Sequence, residues 1–173
     1  NAFGLRLESG GGIPVLTHFP GLGLALYNAD TTGVTPVAPL AELAPGLQPY
    51  RFAITKHIPM IMLSNATYSA YDRANGAGWS RAISETLLRN QLGFTGVTIT
   101  DSVSGTAKAR GVPSPDLAIA AALAGTDMIL VTGSEATTSA VYDALLAKAL
   151  DGTIHRATLA ASYARILALK QGL

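Results

Sequence analysis

Short apolar runs alternating with helical patterns constrain this chain more tightly than any other feature of its sequence. The runs Pro14–Phe19, Met60–Leu63, Val97–Thr100 and Met128–Val131 have the length and β-branched content of strands. They read as apolar runs instead of alternating ones, the pattern of parallel strands covered on both faces. Between them, Ile83, Leu87, Leu88 and Leu92 form one helical face behind a capping Ser80, with Gly93 at the C-terminal stop. Pro115 and Asp116 suit the first turn of an alanine-rich helix ending before Gly125. Val141, Leu145, Leu146 and Leu150 make a further stripe closed by Gly152. Leu159, Tyr163, Ile166 and Leu167 repeat the pattern over Thr158–Lys170. A less regular helix is expected over Gly46–Lys56, after the proline-rich connection Thr35–Pro45.

Strands in strict alternation with helices imply an α/β fold with a parallel sheet and right-handed crossovers. Two architectures fit about four βα units in 173 residues: a small open sheet, or half of a (β/α)₈ TIM barrel, which needs ~250 residues when complete. No phosphate-binding glycine loop leaves a strand, and Gly10-Gly11-Gly12 precedes one, so a nucleotide site is not expected.

Composition removes other functions. Only 13% of residues are charged, the net charge is +1, and the charges are scattered without a basic stripe, which argues against nucleic acid as a partner. The longest apolar run, Leu117–Ala124, is far short of the ~20 residues a membrane span needs. The chain has no cysteine, which excludes disulfides, thiolate metal sites and thiol nucleophiles. Its three histidines are far apart and no carboxylates stand at ligand spacing, so no metal site is expected. The opening at Asn1, without initiator methionine or signal peptide, reads as a trimmed chain and leans the expected location toward the cell envelope or the outside.

In parallel α/β folds, functional side chains gather beyond the carboxyl ends of the strands. Three polar segments stand there: Thr17-His18-Phe19-Pro20-Gly21, leading into a loop with Asn28-Ala29-Asp30-Thr31-Thr32; Ser64-Asn65-Ala66-Thr67-Tyr68, followed by Asp72; and Thr100-Asp101-Ser102. With Leu88-Arg89, Leu92-Gly93-Phe94, Gly96-Val97 and Ala124-Gly125-Thr126-Asp127-Met128, this ordered set resembles the catalytic domain of glycoside hydrolase family 3, in its β-N-acetylglucosaminidase-like branch. The agreement in order and spacing runs from about Val15 to Lys170 and covers only the second, C-terminal half of that family's barrel.

The resemblance implies a half-barrel over residues 1–173 that requires a complementary half, as another segment, a second chain or a swapped copy. Left open, such a half would expose strand edges and apolar surface. It also implies a retaining glycosidase, without cofactor, acting on β-linked N-acetylhexosamine or a related sugar. Asp101 matches the family nucleophile, and Asp30 matches the aspartate of an acid/base Asp–His pair in the loop after the first motif. Thr32 stands where that histidine belongs, and a hydroxyl does not titrate near neutrality. Thr17 replaces the lysine that precedes the motif histidine, and Leu22 replaces a second histidine. Candidate sugar ligands are therefore His18, Thr17, Asn65 and Thr32. Trp79 is expected to pack against the helix after it, His57 and His155 to be solvated, and Asp127 to be structural. A glycan-binding or structural homologue with an altered loop is the alternative to an enzyme.

Overall fold

The computed structural model describes residues 2–29, 31–32 and 38–172; the predicted acid/base residue Asp30 lies outside them. A short helix α1 (Ala2–Ser9) leads into strand β1 (Val15–Phe19). Helix α2 (Leu40–Leu43), a 3₁₀ turn (Ala44–Leu47) and helix α3 (Gln48–Thr55) then return the chain to β2 (Met60–Leu63). A 3₁₀ turn (Ala77–Trp79) and a π-wound helix (Ala82–Gln91) connect β2 to β3 (Val97–Thr100). Helices α4 (Val103–Arg110), α5 (Ser114–Leu123), α6 (Glu135–Leu150) and α7 (Arg156–Gln171) complete the chain.

The strands form one parallel sheet in the order β1-β2-β3, as an α/β crossover topology requires. β2 and β3 pair in register from Met60–Val97 to Leu63–Thr100. β1 starts in register at Val15–Met60, then slips between Leu16 and Phe19, so that Phe19 faces Leu63. Phe19, Ile61, Leu63, Ile83 and Leu88 are fully buried between the sheet and its helices. The Phe19 and Tyr50 rings meet edge-on at 4.9 Å, the arrangement their quadrupoles favour. A second cluster packs Trp79 among Val103, Ala107, Leu117 and Ala121.

Several sequence expectations change. Met128–Val131 is extended beside β3 but forms only one bridge, Ile99–Met128. The ladder continues through Thr100 N–H to the Met128 carbonyl, 3.0 Å. It then stops, because the Leu130 N–H donates to the Thr100 hydroxyl, 2.9 Å, instead of to backbone. Ser80 starts its helix through its carbonyl, which accepts from Ser84 N–H, while its hydroxyl donates to Asp72 and caps nothing. The helix expected over Gly46–Lys56 begins earlier, through α2 and the 3₁₀ turn, and α1 and α4 had no recognisable pattern.

Burial also departs from the two-sided pattern. β1 is exposed at Val15 and Thr17, because it pairs with β2 alone and forms the sheet edge among the described residues. The stripes of α6 and α7 are largely uncovered: Val141 is buried, but Leu150 is 80% and Tyr163 67% exposed, and α7 buries no side chain fully.

Candidate active site

Three parallel strands deliver their carboxyl ends to one rim, and the polar segments read from the sequence meet there. The Asp101 N–H donates to the Leu63 carbonyl, 3.0 Å, which extends the β2–β3 ladder one residue past the strand. The Asp101 carboxylate is thereby set by the sheet. Its Oδ1 accepts the Ser102 N–H at 2.7 Å, a short charge-assisted bond. Its Oδ2 lies 3.4 Å from His18 Nε2, across the sheet from β1. Helix α4 begins two residues later, and its amino end favours negative charge at this position. The Asp101 side chain keeps 15% of its surface open and His18 keeps 33%, so both reach solvent at the rim.

Asn65 is placed differently. It is 1% exposed, and its Nδ2 donates to the Ser102 carbonyl at 2.9 Å, beneath the rim. Arg110, from α4, donates to the Thr67 hydroxyl at 2.9 Å and leans on the Asn65 carbonyl at 3.5 Å. Its guanidinium lies over the Trp79 ring, 5.2 Å from the centroid, a cation–π distance. Tyr68, fully buried, donates its hydroxyl to the Gly21 carbonyl at 2.9 Å and so ties the β2 segment to the β1 segment. Burial pushes the Tyr68 phenol up to about 12, outweighing a hydrogen bond with Ser64, so it stays a neutral donor.

The loop after β1 is anchored just before the undescribed Asp30. Ala29 is buried, and its carbonyl accepts from the Thr106 hydroxyl of α4 at 3.4 Å. Thr32 is exposed, and its hydroxyl donates to the Asn28 carbonyl at 2.7 Å, closing a turn. Thr17 is exposed on β1.

Sequence reasoning did not single out Ser102 or Arg110. Ser102 follows Asp101 directly and had a signal in that adjacency; Arg110 meets its hydrogen-bond partners Asn65 and Thr67 across more than forty residues and had none.

Other polar residues serve structure. Trp79 is 5% exposed and packs on α4 and α5, so it is no sugar platform. Asp72 accepts from Ala74 N–H, Asn75 N–H, Asn75 Nδ2 and Ser80 Oγ, and these bonds hold its own loop. Asp127 accepts from Arg89, Thr98, Ser162 and Arg165 with no side-chain surface exposed. His57 and His155 are exposed. Among the described residues no cluster of His, Cys, Asp or Glu is built to hold a metal ion, and no helix is long and apolar enough to cross a membrane.

Comparison with known proteins agrees with this architecture. The profile of the Glycosyl hydrolase family 3 N terminal domain matches residues 4–169. An uncharacterized secreted glycosyl hydrolase of Arthroderma benhamiae is 34% identical over 100% of this chain and 50% of its own length. A beta-hexosaminidase of Shewanella frigidimarina is 34% identical over 75% of this chain and 38% of its own. Among solved structures, the beta-N-acetylhexosaminidase of Beutenbergia cavernae superposes with a TM-score of 0.89 at 35% identity, over 98% of this chain and 50% of that one. A family 3 beta-N-acetylglucosaminidase of a Paenibacillus species gives a TM-score of 0.91 at 31% identity, over 98% of this chain and 32% of that one. This chain thus spans half or less of the length of these relatives.

Proposed function

The chain belongs to glycoside hydrolase family 3, and from that footing we propose that it supplies the nucleophile-bearing C-terminal half of the barrel domain of a retaining glycosidase acting on β-linked N-acetylhexosamine or a related sugar. The observation that carries this reading is the setting of Asp101. A carboxylate at a strand terminus is oriented by the Ser102 N–H, faces His18 and stays open to the rim. In the first step the Asp101 carboxylate attacks the anomeric carbon while the glycosidic oxygen leaves with a proton. In the second, water attacks the same carbon and the carboxylate departs. Asp30 gives the leaving oxygen its proton in the first step and takes a proton from the attacking water in the second. His18 and Thr17 bind sugar hydroxyls at the rim, with Thr32 on the loop above.

A complementary half-barrel completes the site, as another segment, another chain or a swapped copy. The uncovered edge of β1 and the exposed apolar residues of α6 and α7 support that partner. A cooperatively folded, soluble monomer of this chain alone would sink the partner requirement.

The chemistry is tested by treating the complete active assembly with a 2-fluoro or 5-fluoro glycosyl fluoride and mapping the labelled peptide by mass spectrometry. Label on Asp101, and turnover abolished by Asp101→Asn, are expected. Absence of label and of turnover across N-acetylglucosaminides, glucosides and xylosides overturns the enzyme reading. One observation favours a glycan-binding or structural homologue instead: the Thr32 hydroxyl closes a turn and brings no titratable group to the loop.

A further inference from the structure

Asn65 sits among the candidate sugar ligands by sequence, yet its side chain points under the site and not into it. The amide Nδ2 donates to the Ser102 carbonyl at 2.9 Å, and Asn65 is 1% exposed. The Ser102 N–H, on the peptide that links Ser102 to Asp101, donates to Asp101 Oδ1 at 2.7 Å. The Ser102 hydroxyl meets the Thr132 hydroxyl at 2.6 Å, which holds the same residue from the far side. Behind Asn65, Arg110 reaches the Asn65 carbonyl at 3.5 Å and Thr67 at 2.9 Å, and itself lies over the Trp79 ring. The chain of contacts therefore runs from the buried Trp79 cluster, through Arg110 and Asn65, to the residue whose N–H aims the carboxylate.

We infer that Asn65 is a positioning residue: it fixes Ser102 so that the Ser102 N–H sets the Asp101 carboxylate for attack, with Arg110 bracing Asn65 from α4. This inference rests on the reading of Asp101 as nucleophile. The short backbone bond at Oδ1 ties the carboxylate's orientation to that peptide, while Oδ2 faces His18. The peptide lies between the last sheet bond, at Asp101 N–H, and the start of α4, where Val103 N–H donates to the Leu130 carbonyl. Ser102 is the one residue between those two anchors, and its carbonyl is held by the Asn65 amide. Misplacement of a reacting group by about 1 Å costs ~10²-fold in rate.

The test compares Asn65→Asp and Arg110→Met with the unmodified protein, in the complete active assembly, using a 5-fluoro N-acetylglucosaminyl fluoride as the trap. Asn65→Asp keeps the shape but cannot donate to the Ser102 carbonyl when ionised. The expected result is a labelling rate at saturation lowered by ~10²-fold, with half-saturation within ~3-fold and complete labelling at the end. Arg110→Met keeps the Asn65 amide and is expected to give the same pattern at ~10-fold. A raised half-saturation with unchanged saturating rate overturns the inference in favour of a sugar ligand. A lowered final extent of labelling with unchanged rate overturns it in favour of a purely structural role, and so do unchanged rates in both variants. Failure of the unmodified protein to label at Asp101 overturns the nucleophile reading, and this inference with it, before any substitution is made.

Discussion

Asp101 and Asp127 each stand beside β3, at opposite ends, and the sheet treats them in opposite ways. At the amino end, Asp127 has no exposed side-chain surface. Its Oδ2 accepts from Arg89 Nη2 at 2.7 Å and Thr98 N–H at 2.9 Å, and its Oδ1 accepts from Ser162 at 2.7 Å and Arg165 at 2.6 Å. At the carboxyl end, Asp101 is held by a backbone N–H, faces a histidine and keeps 15% of its side-chain surface open. Burial alone would raise the Asp127 carboxyl, but hydrogen bonds from Arg165, Thr98 and Ser162, with the charge of Arg89, hold it below the ordinary range. A carboxylate enclosed by donors is a tie between elements; one that keeps part of its surface open at a strand end is the kind the proposed nucleophile requires.

The largest expected effect falls on the open carboxylate. Asp101→Asn should lower turnover by roughly 10³-fold or more in the active assembly, since an amide is no nucleophile toward an anomeric carbon. Its melting temperature should stay within a few degrees of the unmodified protein, as for a substitution at a partly exposed site. Loss of folding together with activity would break the contrast, because Asp101 would then be a tie as well.

Asp127→Ala should reverse that pattern. Removing one partner of a buried ion pair costs ~3–5 kcal/mol, and here two arginines, 10% and 24% exposed, lose their carboxylate. Denaturant unfolding should show the loss directly. The pH dependence has a definite sign. A folded-state value held below the unfolded one contributes stability that is present above ~3.9 and is lost as pH falls from there through the folded value. Unmodified protein should therefore weaken below about pH 4, and Asp127→Asn should flatten that slope. An unchanged slope would show that other carboxylates dominate acid unfolding.

Much of this contrast was legible in the sequence, and the unread part has physical causes. β2 and β3 lie where apolar runs of four residues put them. Asp127 was read as structural because it precedes an extended segment instead of following one. The segment Met128–Val131 had the composition of a fourth strand, but composition does not reveal that the Thr100 hydroxyl would take the Leu130 N–H. α4 carries Gly105 and no apolar stripe, so its helix depends on docking against Trp79 and Leu117. Asn65 looked like a rim residue because its partner, Ser102, lies 37 positions away.

A smaller effect is expected at the glycine two residues before Asp127. Gly125 has φ +90°, a region that suits glycine, and a Cβ there would collide with the Glu85 carboxylate. Gly125→Ala should cost ~1–3 kcal/mol in unfolding experiments and leave the trap-labelling rate unchanged. A change in that rate would mean that the amino end of β3 transmits strain to Asp101.

The third aspartate tests whether enclosure by donors, and not complete burial, is what separates structure from chemistry. Asp72 is only partly buried, yet it accepts from Ala74 N–H at 2.9 Å, Asn75 N–H at 3.1 Å, Asn75 Nδ2 at 3.1 Å and the Ser80 hydroxyl at 2.8 Å. Burial opposes ionisation there, and the bonds from Ala74, Ser80 and Asn75 outweigh it, so the carboxyl is held below its usual range. By exposure Asp72 resembles Asp101; by its partners it resembles Asp127. Asp72→Ala should therefore cost ~1–2 kcal/mol of stability through the loop that leads to Trp79, with kcat kept in the active assembly. A kcat loss without destabilisation would place Asp72 with Asp101 and make exposure, not the set of donors, the better guide to function in this fold.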